Sequence, residues 1–185
     1  MTRHRPARGS KTIFEVFYER YQGAWRHYAY LYTGERAAAE EIVDRFTGRL
    51  MQNWERALEQ ESVARYAWTL YKDVVEHWLD ERGDEPQLVQ TAAFSRVARV
   101  AMDYCRGQFA VMEESLGLYS AIAGLPERQR DVIILRHVMG YPDAKVAEIL
   151  GITEPSVRSH LRHARRSLEP VAAQHRLLHA TESQG

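Results

Sequence analysis

The chain has a single cysteine, Cys105, so it has no internal disulfide and no multi-cysteine zinc site, which fits a reducing compartment. It lacks any excess of one charge: 25 basic side chains balance 25 acidic ones. A partner that is nucleic acid must therefore be met by a local basic patch and not by the molecule as a whole. No apolar run approaches the roughly 20 residues that a membrane-crossing helix needs, so no membrane partner is expected. The first residues (MTRHRPAR) are charged but are not followed by an apolar core, which is not the pattern of a secretory signal; a cytoplasmic location is expected. Glycine-rich phosphate loops, paired catalytic carboxylates and nucleophile–base groupings are missing too, and the reading is not an enzyme. Histidines occur in two suggestive pairs, His160 with His163 and His175 with His179. Neither pair has a third ligand nearby, so no metal is expected, and no cofactor either.

What is present is helical periodicity, with a hydrophobic fraction of 45% over 185 residues, enough for one core or two small ones. Phe14, Phe17, Tyr21, Trp25, Tyr28 and Tyr32 recur at steps of three and four, a single stripe that Thr33 and Gly34 interrupt. A second stripe runs Ile42, Val43, Phe46, Leu50, Trp54, Leu58, and a third Val63, Tyr66, Leu70, Val74, Trp78. The third stops at the polar stretch 82–86 (RGDEP), which holds both helix breakers. A weaker stripe over 88–104 reads as a connector helix, and 116–122 as a short apolar helix that ends at Gly124, Leu125 and Pro126. Pro126 is placed to open the next helix, whose inward face is Val132, Ile133, Leu135, the stem of Arg136, Val138 and Met139. Gly140, Tyr141 and Pro142 close it and Asp143 caps its successor. The fold expected is all-α: two small helical domains joined by a linker, the C-terminal one a helix-turn-helix. The divisions are a basic flexible tail over 1–10, a bundle over 11–83, a linker over 84–112 that includes the connector helix, the helix-turn-helix domain over 113–170 and a tail over 171–185.

Residues 143–166 carry the chemistry. Small Ala147 allows a close helix crossing, and Gly151, four residues on, suits the left-handed conformation that ends a helix. Thr153 is an N-cap residue and Pro155 falls in a first turn, where it costs no hydrogen bond. The second helix then separates into two faces. Val157, Leu161, Ala164 and Leu168 point one way; Arg158, Ser159, Arg162, His163 and Arg166 point the other. Guanidinium groups reach phosphates and guanine edges, and hydroxyls reach phosphates or bases, so the second face is that of a DNA reader. The residues assigned to DNA are Ser156, Arg158, Ser159, Arg162, His163, Arg165 and Arg166. The bland alternative, a solvated basic helix, explains the alternation but not the capped turn, the glycine and the small residue together.

Three stretches, Leu125 to Gly140 (LPERQRDVIILRHVMG), Val146 to Thr153 (VAEILGIT) and Val157 to Arg165 (VRSHLRHAR), resemble domain four of the extracytoplasmic-function (ECF) sigma factors, with the likeness running over 115–169. The resemblance implies binding of the minus-thirty-five promoter element and of the flap of the polymerase β subunit. It puts the DNA contacts at Arg158, Ser159, Arg162 and His163, within the face derived from spacing. Domain two of the same family is resembled more weakly. Ala39 to Asp44 (AEEIVD) falls at the helix that binds the polymerase clamp, which implies Glu40, Glu41, Asp44 and Arg45 as polymerase-binding residues. Tyr66 to Asp73 (YAWTLYKD) and Trp78 to Arg82 (WLDER) fall at the minus-ten reading and melting segment. Here the sequence departs from the family: Asp80 and Glu81 stand where basic residues are usual, and Tyr71, Lys72 and Asp73 where Ala-Arg-Asn is usual. Carboxylates facing a phosphate backbone repel it. The partners implied are core RNA polymerase, promoter DNA and an anti-sigma factor. Two rivals differ in class: a sigma-like interaction module that does not melt DNA, and a helix-turn-helix regulator with an unrelated helical sensor domain in front.

Overall fold

A computed structural model describes residues 8–82 and 124–182, with side chains over 10–82 and 124–168. The helices expected over 88–104 and 116–122, Cys105, and the side chains of His175 and His179 lie outside the described residues. The chain divides into two compact units, Met1–Pro86 together with Glu148–Ile152, and Gln87–Ala147 together with Thr153–Gly185. Every regular element among the described residues is helical.

The first unit holds α1 (Arg8–Thr33), α2 (Arg36–Gln52), α3 (Trp54–Leu58) and α4 (Val63–Glu81). The aromatic stripe of α1 is its core face: Phe14, Tyr21, Trp25, Tyr28 and Tyr32 are buried. Gly34 ends the helix at φ +70°, its amide donating to the Tyr30 carbonyl at 2.8 Å. The helix starts at Arg8, inside the stretch expected to be a tail. Ser10 is buried, and its carbonyl accepts from Trp54 Nε1 at 3.0 Å, so residues 8–10 are part of the bundle. The second stripe is two helices and not one. Asn53 breaks it, its side-chain amide donating to the Arg49 carbonyl at 2.8 Å, and Leu58 is left exposed. The Asn53 backbone amide also donates to the Arg49 and Leu50 carbonyls, at 3.2 and 3.1 Å, so side chain and backbone share the end of α2. α4 opens on Ser62, whose hydroxyl accepts from the Arg65 amide at 3.2 Å. It is buried over a wider arc than its stripe implied: Ala67, Trp68, Tyr71, Lys72, Val75 and Leu79 join Leu70, Val74 and Trp78, while Val63 and Tyr66 are only half-buried. Edge-to-face rings knit the three long helices, Trp25 on Phe46 at 4.7 Å and Tyr28 on Trp68 at 5.0 Å.

The described part of the second unit begins at Gly124 and contains α5 (Glu127–Ile133), a π-helical turn (Ile134–Val138), α6 (Asp143–Leu150) as far as Ala147, and α7 (Glu154–Glu182); the last turn of α6 is counted with the first unit. Pro126 stands one residue before α5, at its N-cap, and not inside its first turn. The π turn is a feature nothing in the sequence announces: the Met139 amide reaches back five residues to the Ile134 carbonyl at 2.9 Å. It buries Ile134 along with Leu135, and leaves Arg136, Val138 and Met139 half-buried. Asp143 is the first residue of α6 and does not cap it; its carboxylate accepts from Arg136 Nε at 2.7 Å, tying the π turn to α6. The α7 helix packs against α5. It also runs on to Glu182, so the segment expected as a tail over 171–185 is helical for most of its length.

Candidate nucleic-acid interface

The turn between α6 and α7 is built as its residues dictate. Gly151 takes φ +62°, a conformation that side chains with a Cβ resist, and its amide donates to the Glu148 carbonyl at 3.3 Å. Thr153 caps α7: its hydroxyl accepts from the Ser156 amide at 3.3 Å and bonds the Ser156 hydroxyl at 2.8 Å. Glu154 sits in the first turn, where a carboxylate favours the helix dipole.

The two faces of α7 are as different as the sequence pattern required. Val157, Leu161, Ala164 and Leu168 are 0, 5, 0 and 1% exposed. Arg158, Arg162, His163, Arg165 and Arg166 are all exposed, and Ser156 and Ser159 are half-exposed. On this surface Arg158 pairs with Glu154 one turn back at 3.6 Å. Exposed pairs of that kind are weak and open easily to a competing phosphate. The seven residues assigned to DNA therefore share one helix, and five of them offer cations or an imidazole to solvent. His160 lies at the margin, half-buried; burial first, then Arg128 and His163, hold its pKa below the ordinary 6.5. His137 is pushed down to about 4, mainly by burial and then by Arg136.

In the first unit the residues assigned to polymerase fall into two pairs. Glu40 accepts from Arg26 Nε at 3.0 Å, and Asp44 is exposed close enough to act on Arg26. Glu41 and Arg45 instead turn toward α4. Arg45 lies 2.8 Å from Glu41 and 2.7 Å from Glu81, and Glu41 lies 3.0 Å from Arg82. Hydrogen bonds from Arg82 and Arg45 hold the Glu41 and Glu81 carboxyls below the usual carboxylate range.

Within the segment expected to read the minus-ten element, two of the residues that depart from the family pattern face inward. Tyr71 and Lys72 are buried, Lys72 at 4% exposure. The Lys72 ammonium donates to Tyr28 Oη at 3.0 Å and Tyr32 Oη at 3.5 Å and lies 5.1 Å from each ring centroid. Lys72 thus belongs to the core. What α4 exposes is Arg65, Thr69, Asp73, Glu76, His77, Asp80 and Glu81. The spacing of Asp73, Glu76 and Asp80, three and then four residues, puts the three carboxylates on one face. That stripe was legible in the sequence as a helical period of acids. Among the described residues no group of three or more His, Cys, Asp and Glu is arranged to hold a metal, and no helix is long and apolar enough to cross a membrane.

Residues 115–168 match the family model for Sigma-70, region 4. No curated protein matches the chain. The C-terminal part is thus similar to the helix-turn-helix region of sigma factors, which supports a DNA-binding role in transcription.

Proposed function

We propose that this protein is a sigma factor of the ECF type, which binds core RNA polymerase and directs it to a restricted set of promoters. In this reading α7 lies in the major groove of the minus-thirty-five element. Arg158, Ser159, Arg162 and His163 face base edges and phosphates, and Ser156, Arg165 and Arg166 extend the contact along the backbone. The polar face of α2, with Glu40, Glu41, Asp44 and Arg45, docks on the polymerase clamp, and the helix-turn-helix unit meets the β flap. The protein acts through these partners in the cytoplasm, carries out no reaction of its own, and is held in check by an anti-sigma factor. The observation that carries the reading is the division of α7: four side chains at most 5% exposed against a solvent-facing row of arginines. The test is run-off transcription with purified core polymerase on fragments drawn from a random-sequence pool by the full chain. Specific transcripts that need the added protein are expected; none, with no stable complex, would overturn it.

A second reading is favoured by the acidic face of α4. Asp73, Glu76 and Asp80 point to solvent and Lys72 is withdrawn into the core, so this surface repels a phosphate backbone. The protein is then a sigma-like module that joins polymerase and promoter without separating the strands. Permanganate footprinting distinguishes the two: reactive thymines at the start site support the first reading, and a bound but unreactive duplex supports the second.

A further inference from the structure

The end of α4 carries acids where the resemblance leads one to expect DNA-facing bases, yet the carboxylate of Glu81 is not directed to an empty surface. It belongs to a chain of alternating charges that runs Arg82, Glu41, Arg45, Glu81, with links of 3.0, 2.8 and 2.7 Å, and continues to His77 at 3.3 Å. The chain crosses from α4 to α2 and back. One end is anchored: the Arg82 guanidinium lies 3.7 Å over the ring of Trp78, a residue that is only 5% exposed. A lone exposed ion pair scarcely restrains two long side chains. A continuous sequence of pairs, fixed at one end to a buried ring, restricts its members more than a lone pair does and removes part of the ordering cost of a later docking step.

We infer that Glu81 and Arg82 are positioning residues for Arg45 and Glu41, and that the acidic turn of α4 thereby serves protein docking on α2 and not strand separation. The inference rests on the reading that α2 docks on polymerase, and names what holds its two central charges in place. Glu41 and Arg45 each have a partner across the helix interface, whereas Glu40 and Asp44 face Arg26 on α1. The surface offered to polymerase is therefore a fixed pattern of both signs, matched by a partner surface with an acidic group opposite Arg45 and a basic group opposite Glu41. Asp80 is exposed and stands outside the chain of pairs, so it serves as the control for mere negative charge.

The experiment uses the full chain and core polymerase in the absence of DNA, with affinity read by fluorescence anisotropy and folding by the tryptophan melting curve. Arg45→Ala is expected to weaken binding about tenfold, as loss of one interfacial charge does. Glu81→Gln is expected to weaken it about fivefold through release of Arg45, and the double variant to be no weaker than Arg45→Ala alone. Asp80→Asn should bind as the wild type, and all melting curves should coincide. Wild-type affinity for Glu81→Gln beside a weakened Arg45→Ala overturns the positioning role and leaves α2 docking intact. Additive losses in the double variant overturn it as well, since Glu81 then touches polymerase itself. If Arg45→Ala and Glu40→Ala both bind normally, the docking reading fails and this inference with it. The charge swap, Arg45→Glu with Glu81→Arg, remakes the pair with reversed signs; it should melt normally yet bind weakly, and normal binding would overturn the inference.

Discussion

Replacing Lys72 tests the arrangement of the first unit, because its ammonium is sunk among aromatic side chains. The group donates to Tyr28 Oη at 3.0 Å and Tyr32 Oη at 3.5 Å and lies 5.1 Å from both ring centroids. Hydrogen bonds to a charged group contribute about 1.5–3 kcal/mol each, and a desolvated cation over a ring about 2 kcal/mol. Removing an ammonium from water costs several kcal/mol in the other direction. The two nearly cancel, and methionine keeps the length of the side chain without the charge. The tyrosine hydroxyls still bond each other at 2.9 Å. Lys72→Met is therefore expected to shift stability by no more than about 1.5 kcal/mol. Lys72→Ala leaves a cavity and should cost about 2–4 kcal/mol. Urea unfolding followed by tryptophan fluorescence isolates this unit, since Trp25, Trp54, Trp68 and Trp78 all lie within Met1–Pro86. Because Lys72 is 4% exposed, Lys72→Met should also bind a selected promoter fragment as the wild type does. Loss of promoter binding with an unchanged unfolding midpoint would refute the reasoning, because the lysine would then be working at the surface.

Further substitutions address the helix-turn-helix and the helix before it. Leu161→Ala, at 5% exposure between α7 and its core, should destabilise by about 2–4 kcal/mol, seen by circular dichroism as a lower melting temperature with no change in tryptophan fluorescence. Gly151→Ala meets φ +62°, which alone costs about 1–2 kcal/mol, and sets a Cβ 2.5 Å from the Arg65 amide nitrogen, so the loss should exceed that; an unchanged melting curve would show that the turn relaxes. His137, held neutral with a pKa near 4 against 6.5 when unfolded, makes the unfolded form bind the extra proton between those values. Stability is full above pH 6.5, falls on acidification towards pH 4 and levels off below it; half-exposure limits the loss to about 1–2 kcal/mol, and His137→Gln should remove that part of the pH dependence.

Local signals carried most of what the sequence revealed. The helix-turn-helix was legible because each step is a property of a few adjacent residues: Gly151 for the turn, Thr153 for the cap, Val157, Leu161, Ala164 and Leu168 for the buried face. The stripes of the first unit were legible for the same reason. What escaped depends on partners far along the chain. The Lys72 ammonium meets hydroxyls 44 and 40 residues away, and no local pattern says that a lysine flanked by Tyr71 and Asp73 turns inward. The chain of pairs from Glu41 to Glu81 spans about as far, so the acids at 80 and 81 read as repulsive to DNA when one of them faces α2. At Asp143 the residue type was informative, but a hydrogen bond from Arg136 seven residues back engages its carboxylate.

The account stands on the outward face of α7, and a mobility-shift titration measures it most directly. Duplex DNA selected from a random pool is bound by the full chain, with and without core polymerase, across a series of salt concentrations. Arg158→Ala and Arg162→Ala should each weaken binding by about 1–3 kcal/mol and, where the lost contact is to phosphate, lower the salt slope by about one. Their circular dichroism should match the wild type, because both side chains are exposed. Wild-type affinity and an unchanged salt slope in both variants would contradict the assignment of α7 to DNA.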